Sequence, residues 1–452
     1  MRQKNYFVIK IIICCSNLAL SVNTAFSNDL NLKQAYQTAL LNDASIRASN
    51  ALTESVREKI NQARSSLLPQ ISASFTRNQN NLESTTPNLF GNSVVSNDQY
   101  FSDNRLIQLR QPLINQQRWF QFQQAKNLAE EAEANLEREL QNLLVRVTSS
   151  YFENLMAEEQ LILVLIQKKN HLAILDAAKK RFLAGSGTRT DIDEAQARLD
   201  LIVSQELEAI QNKDLMRRQL QTMVNQPFGK LAKVNVQALK LTPPDPVDIE
   251  SWIGRAELSS QELKAMKAKL EAAKIEVNKA QAAHMPTLDA IAQWSNSGRE
   301  NITNINSRYE NKSIGLQLNI PLYSGGYMNS TIRQAVAEQT RAEETLEALR
   351  RDLGVRVHRE YRGVSEGVMR VRALEQAVRS AEQMLASTQM SQKGGSRTQL
   401  DVLNAQQQYT LTLRDLAQAR LVYLLSKVRL ASLVGEDAMA SLEQVNGSLA
   451  AN

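Results

Sequence analysis

The sequence predicts an α+β membrane fold in which four β-strands are continued by a long α-helical coiled coil, with the whole unit duplicated. Three observations carry that prediction. Two very long stretches, about residues 115–184 and 327–392, place apolar residues at steps of three and four, the spacing of a coiled-coil seam. Four short segments alternate, with apolar residues on one parity, as a strand with a single apolar face does. The third observation is an internal repeat. Asn31-Leu32 to Leu68-Pro69 recurs as Asp248-Ile249 to Met285-Pro286, 217 residues on, and a glycine turn at Gly185 recurs at Gly395, 210 residues on.

Composition agrees with these patterns. Aromatic residues are 5% of the chain, and nine prolines and 16 glycines punctuate 452 residues, a balance that favours long helices over compact cores. Residues 1–27 read as a secretory signal: Arg2 and Lys4 precede an apolar run from Tyr6 to Leu20, and Ala25-Phe26-Ser27 supplies a cleavage site. The run is short for a membrane span of about 20 residues, which disfavours an N-terminal anchor. Both cysteines, Cys14 and Cys15, fall inside it, so the mature chain is expected to carry no disulfide and no cysteine metal site. Its removal takes Arg2, Lys4 and Lys10 with it, and the formal net charge drops from +6 to +3. No basic block with interleaved aromatics occurs, which excludes nucleic acid as the expected partner.

Residues 28–229 form the first repeat. Asn31 is a candidate N-cap for a helix reaching about Leu67, and Pro69 ends it. Ile71, Ala73 and Phe75 then alternate with polar residues in a first strand. Arg77 to Gln99, rich in Asn, Ser and Thr, reads as an exposed loop. A second strand carries Arg105, Ile107 and Leu109 on one parity, and Pro112 closes it. From Asn115 to Ala184 there is no proline or glycine, and a helix of roughly 70 residues would be about 105 Å long. After the glycine turn a shorter helix runs from about Asp191 to Asn225. Residues 230–247 are a linker in which Pro243, Pro244 and Pro246 exclude helix.

Residues 248–434 repeat this order. Leu288, Ala290, Ala292 and Trp294 mark a third strand, Ser295 to about Arg308 a polar loop, and Ile314, Leu316, Leu318 and Ile320 a fourth. The second long helix has its seam at Leu346, Leu353, Val357, Tyr361 and Val364, and a helix to about Leu433 follows the second turn. Residues 435–452 are a short tail.

Strands of about ten residues with one apolar parity match lipid-spanning strands, and four of them cannot close a barrel. Three chains would supply twelve. Soluble hairpins share the same alternation and remain an alternative for any one strand taken alone. Phe75, Phe101, Trp294 and Tyr309 suit an aromatic girdle. The helices leave the strands in one direction, which puts the two glycine turns at the far tip. The shorter helix before each first strand is expected to stack end-on with the returning helix.

The duplication, the Leu68-Pro69-Gln70 step, the run Ile320-Pro321-Leu322-Tyr323-Ser324-Gly325-Gly326 and the motif Gly395-x-x-Thr398-x-x-Asp401-Val402-Leu403-Asn404-Ala405-Gln406 together resemble the TolC family of outer-membrane channel proteins. The likeness spans about Asn31 to Gly435. It implies a homotrimer with a twelve-stranded barrel in the outer-membrane lipid and an α-helical tunnel through the periplasm. It also implies no enzymatic activity and no cofactor. Such proteins are exit ducts of tripartite systems for type I protein secretion or efflux, reached through a periplasmic membrane-fusion adaptor from an inner-membrane pump of the ABC or RND type.

The family's closed tip is implied as well. Asp401 matches the first position of an acidic entrance ring, and the second falls on a neutral residue, Asn404. Arg397 matches a basic lock residue, with Thr190 and Asp191 as its partners. The aromatic lock position falls on Gln392. Gly185 and Gly395 are the hairpin turns. If three copies of Asp401 converge on one axis, their repulsion is expected to raise some of their pKa values and to favour bound cations.

A purely local reading stands beside this one. Thr188-x-x-Asp191 and Thr398-x-x-Asp401 both have the capping-box spacing. The three histidines, His171, His284 and His358, lack metal-ligand spacing, and no phosphate loop or nucleophile motif occurs. The alternative class is a periplasmic coiled-coil adaptor or structural protein.

Overall fold

Each repeat folds into the same succession of helices, strand pair and helical hairpin. The first comprises α1 (Leu32–Asn42), α2 (Ala44–Ser65), β1 (Gln70–Pro87), β2 (Ser93–Ile114), α3 (Gln116–Leu183) and α4 (Arg189–Val224). The second comprises α5 (Ile249–Ser259), α6 (Gln261–Ala282), β3 (Thr287–Arg299), β4 (Ser307–Asn319), α7 (Tyr327–Lys393) and α8 (Gln399–Leu433), and α9 (Ala438–Asn446) follows. The structure is a computed structural model and describes residues 29–87, 91–299 and 307–449. The expected signal segment with Cys14 and Cys15 lies outside them, as do residues 88–90 and 300–306.

Two expectations need correction. Where one helix was expected from Asn31 to Leu67, Asp43 divides two. Its backbone is extended, its N–H closes α1 on Ala39, and its carboxylate accepts from the N–H groups of Ser45 (2.8 Å) and Ile46 (3.2 Å) to open α2. One residue thus serves both helix ends, whose orphan backbone groups would otherwise oppose a break. Ser260 divides α5 from α6 in the same way. The breaks free α1 and α5 to take their own directions and bury their apolar faces against α3 and α7.

The strands are also longer than expected. β1 has 18 residues and β2 has 22, so most of the stretch from Arg77 to Gln99 is paired strand and not loop. β3 and β4 likewise extend into the expected loop at Ser295 to Arg308. Alternation shows only where one face meets an apolar medium, and pairing continues beyond it with polar residues on both faces. Pro112 does not close β2, which runs on to Ile114 through a register shift between Pro112 and Ile114, the usual place for a residue lacking an N–H.

The four strands form one antiparallel sheet in the order β1-β2-β3-β4, so the two repeats join at β2 and β3. The register brings the four apolar parities onto one face. Ile71 lies opposite Leu109, Ala73 opposite Ile107, Leu109 opposite Ala292, Ile107 opposite Trp294, Ala292 opposite Ile314 and Ala290 opposite Leu316. The other face carries Ser72, Ser74, Gln108, Gln293 and Gln317, and there Arg110 pairs with the buried Asp289 at 2.5 Å. β1 and β4 keep free edges within one chain. No described helix is long and apolar enough to cross a membrane.

Near the sheet, α3 packs against α2 and α6; farther away it packs against α4 and α8. Arg57 to Glu133 (2.9 Å) and Gln124 to Glu276 (2.7 Å) mark the near half, and Lys168 to Glu206 (2.5 Å) the far half. The end-on stacking is visible where α8 finishes: Ser259 Oγ, at the end of α5, donates to Val434 O at 2.6 Å. Across the repeat, Arg146 of α3 reaches Asp43 (3.5 Å), and Arg356 of α7, 210 positions on, reaches Glu262 (2.7 Å). Each guanidinium thus meets the first turn of a sheet-side helix.

The main core is a belt halfway along the helices. Leu143, Leu144, Val147 and Tyr151 of α3 and Leu353, Val357, Tyr361 and Val364 of α7 pack there with α1, α5, α9 and the linker. Burial of each such side chain contributes about 1.5–3 kcal/mol. Three tyrosines tie linker backbone to this wall. Tyr151 Oη lies 2.9 Å from Leu30 O and 3.1 Å from Ala232 O, Tyr361 Oη bonds Val247 O, and Tyr423 Oη accepts from the Thr242 N–H at 3.1 Å. Gly363 lets α7 approach α8 here: a Cβ on it would sit 2.9 Å from Ser426 Cβ and closer still to its Oγ.

Gly363→Ala is expected to destabilise the belt by about 1–3 kcal/mol through overpacking, read as a lower melting temperature of the purified protein. Ser426→Gly in the same chain should restore most of the loss. An unchanged melting temperature for Gly363→Ala would contradict the close approach.

Candidate functional site

The two hairpin tips share one backbone framework. Gly185 (φ 72°) ends α3 and Gly395 (φ 79°) ends α7, each in the left-handed region that a residue with a Cβ enters at a cost. The N–H of Gly185 donates to Phe182 O and that of Ser186 to Arg181 O, both at 3.0 Å. The N–H of Gly395 donates to Gln392 O (3.1 Å) and that of Ser396 to Ser391 O (3.0 Å). These paired bonds are the Schellman arrangement and satisfy the last carbonyls of each long helix.

The returning helices open with reciprocal caps. The Thr188 N–H donates to Asp191 Oδ2 (2.9 Å) and the Asp191 N–H to Thr188 Oγ1 (3.2 Å). Thr398 and Asp401 repeat this at 2.9 and 3.2 Å, and Thr398 Oγ1 also lies 2.8 Å from Asp401 Oδ2. Both carboxylates titrate below their usual range. The Thr398 backbone N–H is the largest cause for Asp401, followed by the Thr398 hydroxyl and then the Arg397 charge. For Asp191 the order is the Thr188 N–H, the Thr188 hydroxyl and the Arg181 charge. The positive end of each helix dipole acts in the same direction.

The structure places the remaining candidates as follows. Arg397 lies beside Asp401 at 3.8 Å, with side chains 61% and 35% exposed, and within this chain no hydrogen bond or ion pair joins it to Thr190 or Asp191. Thr190 is exposed in the first turn of α4. Gln392 Nε2 donates to Gln399 Oε1 at 3.2 Å, so an amide pair spans the second turn where an aromatic lock was the family expectation. Asn404 is exposed one turn beyond Asp401. Gln399 and Arg181, the latter acting on Asp191, were not singled out from the sequence, since polar residues flanking a turn carry no periodic signal.

The tips sit side by side around a cavity of about 240 Å³ lined by Ile174, Arg181, Asp191, Thr398, Leu400 and Leu403. Apolar support is thin here. Leu175, Ala195 and Leu199 form a small cluster separate from the belt core. Farther up, a second cavity of about 340 Å³ separates α3 and α4 from α8, with Gln160, Gln167, His171, Arg198, Gln406 and Arg414 among its lining. Few buried apolar contacts and polar gaps between hairpins are the marks of a segment that opens locally at low cost.

The comparisons with known proteins agree on one family. The family model described as outer membrane efflux protein matches residues 35–226 and 252–436. Among curated relatives, the alkaline protease secretion protein AprF of Pseudomonas aeruginosa is 30% identical over 92% of this chain and 86% of its own. The proteases secretion protein PrtF of Dickeya chrysanthemi is 28% identical over 89% and 87%, and the outer membrane protein TolC of Escherichia coli 28% over 97% and 89%. Among solved structures, the CmeC outer membrane channel of Campylobacter jejuni superposes with a TM-score of 0.75 at 16% identity, covering 93% of this chain and 90% of its own. The outer-membrane channel OprN does so with 0.73 at 16%, covering 90% of each.

The caps set a pH dependence. A carboxylate whose folded pKa is depressed contributes stability that is full above its unfolded value, about 3.9 for Asp, and lost as pH falls through the folded value. Amide protection at Thr188 and Thr398 is therefore expected to hold down to about pH 4 and to fall below it. Thr398→Ala should lower protection in the first turn of α8 by about 1 kcal/mol at neutral pH. Protection that stays constant through the acid range would refute the capping account.

Proposed function

The chain belongs to the outer membrane efflux protein family, and from that premise we propose that it is the exit duct of a type I protein-secretion assembly, gated at its two helical tips. As a member of the family it is an outer-membrane channel that works with a periplasmic adaptor and an inner-membrane pump. Three chains close a twelve-stranded barrel, and their helices continue it as a tunnel into the periplasm. The alternative of a periplasmic coiled-coil adaptor falls with the family match. The transport reading contains no catalytic step. We divide the chain functionally as the duplication does, into repeats at 28–229 and 248–434 joined by a linker at 230–247.

The secretion reading rests on one observation: AprF and PrtF, both named for protease secretion, match this chain over about nine-tenths of its length. Small-molecule efflux is the competing cargo, favoured by relatives such as the Brucella suis efflux protein BepC, which is 25% identical. Deleting the gene and comparing the secreted proteins with the drug sensitivity of the cells separates the two. Loss of a secreted protein with unchanged drug sensitivity is expected, and the reverse result would assign the chain to efflux.

At the tips, the capped Asp401 of three chains forms the entrance ring, with the neutral Asn404 as the next position inward. Arg397 and Gln392 act as lock residues toward Thr190 and Asp191 of a neighbouring hairpin. Repulsion opposes the cap. Water and salt screen repulsion between exposed carboxylates, while the bonds from Thr398 lower the Asp401 pKa. A wet ring of such carboxylates therefore favours the ionised form and attracts multivalent cations.

Single-channel recording in planar bilayers tests this. Asp401→Ala is expected to relieve block by trivalent cations at least ~tenfold, the loss of roughly one 1.4 kcal/mol interaction, and Asn404→Asp to strengthen it. Arg397→Ser should raise the open fraction and the mean conductance. Equal block of Asp401→Ala and wild type would exclude an acidic ring at this position.

A further inference from the structure

The apolar face of the sheet ends in cations, and only at the end remote from the helices. On β1 the outward run Ile71, Ala73, Phe75 is followed by Arg77. On β2, read from its helix end, Leu109 and Ile107 are followed by Arg105. On β4, Leu318, Leu316 and Ile314 are followed by Lys312. β3 alone passes from Trp294 to an uncharged residue, Asn296. On three of the four strands, then, the first outward residue beyond the apolar run is a cation. At the helix end the same face shows Ile71, Gln111, Leu288 and Leu318 and no Lys or Arg on the described strands.

The register shows that these cations follow one boundary. Arg77 lies opposite Asp103, Arg105 opposite Phe75 and Asn296, and Lys312 opposite Trp294, so the boundary slides by two residues from β1 to β2, stays level from β2 to β3, and slides by two more from β3 to β4, always in the same direction. Strands in a closed barrel tilt by about 35–45°, and a line at constant depth must slide along them in this manner. The cations thus mark a single level at the outer edge of the apolar band.

Two of the three head groups, those of Arg77 and Arg105, are left free, and the third is held by a neighbouring acid. The Arg77 guanidinium stands 4.8 Å from the centre of the Phe101 ring and that of Arg105 5.7 Å from the Phe75 ring. Among the described residues neither makes a hydrogen bond or an ion pair. Asp103, the acid opposite Arg77, approaches Gly298 instead, where a Cβ would lie 2.8 Å from its Oδ1. Glu310 holds Lys312 at 3.1 Å and the Trp294 indole N–H at 3.0 Å. An aromatic ring under a guanidinium fixes its plane and leaves its forked donors facing outward, the geometry that suits a phosphate.

We propose that Arg77, Arg105 and Lys312 bind the phosphate groups of the phosphorylated lipid in the outer leaflet, so that three chains carry a girdle of headgroup clamps around the barrel. The proposal rests on reading the sheet as part of an outer-membrane barrel. It adds a lipid chemistry, and a leaflet, that the barrel reading does not contain. Anionic headgroups are attracted to cations at this depth, and apolar strand surface below them takes the acyl chains.

The test uses the full-length trimer in mild detergent and native mass spectrometry, with bis-phosphorylated lipid A and the same lipid stripped of phosphate as probes. Wild type should retain the phosphorylated lipid and release the stripped one. Removing cations by Arg77→Gln, Arg105→Gln and Lys312→Gln should weaken retention by about fivefold for each. Equal retention of the two lipids by wild type, or undiminished retention by the triple variant, overturns the proposal. The wild-type comparison decides even if the triple variant does not assemble. Bilayer conductance of the same wild-type preparation reads the channel separately: a trimer that selects the phosphorylated lipid but never conducts would count against the duct and not against the clamp.

Discussion

A strand edge cannot be left unpaired in hydrocarbon, and most of this molecule follows from that constraint. Each exposed backbone donor or acceptor costs several kcal/mol where no water reaches it. The four-stranded sheet has an apolar face and two free edges, β1 and β4, so no arrangement of one chain closes it. Copies of the chain must supply the missing pairing. Once they do, the helices of every chain leave the barrel on the same side, and the wall they form inherits the barrel's closure. Exposed apolar residues on α3 and α4, such as Leu165, Leu172, Leu201 and Leu207, fit a wall that continues into a neighbouring chain.

Halfway down, the belt core sets where that wall is rigid. Tyr151 and Tyr361 occupy equivalent positions in the two repeats and are both buried, yet they hold different backbone: Leu30 and Ala232 for the first, Val247 for the second. Tyr423 adds a third tie to Thr242. The duplication thus conserves the anchor within the molecule and varies what is anchored. Below the belt the apolar clusters shrink to a few residues each and polar cavities open between hairpins. Motion at the tips therefore does not require the belt to yield.

In the proposed entrance ring, one side chain, Asp401, meets a local and a global demand. Its bonds to Thr398 start α8 and lower its pKa, which favours the ionised form that the proposed ring needs. The cap comes from the chain's own backbone and needs no partner, so it precedes assembly. Arg397 sits at 3.8 Å from the same carboxylate, a loose exposed pairing of the kind that contributes little and exchanges readily. A guanidinium held that weakly is available to another hairpin.

The sequence alone determined the order of elements, the apolar parity of each strand and the chemistry of both turns. Ile71, Ile107, Trp294 and Ile314 fall on one face as their alternation requires, and Gly185 and Gly395 take the left-handed conformation that their position after a long helix predicts. These signals are local: a side chain's solvent contrast, or a backbone angle that glycine tolerates. Tertiary structure alone decided the helix breaks at Asp43 and Ser260, the extension of the strands beyond the apolar band, and the pairing of Gln392 with Gln399 and Arg397 with Asp401. A capped break looks like any polar residue in a helix, and a strand with water on both faces shows no alternation. Which polar groups meet across a turn depends on geometry that periodicity does not record.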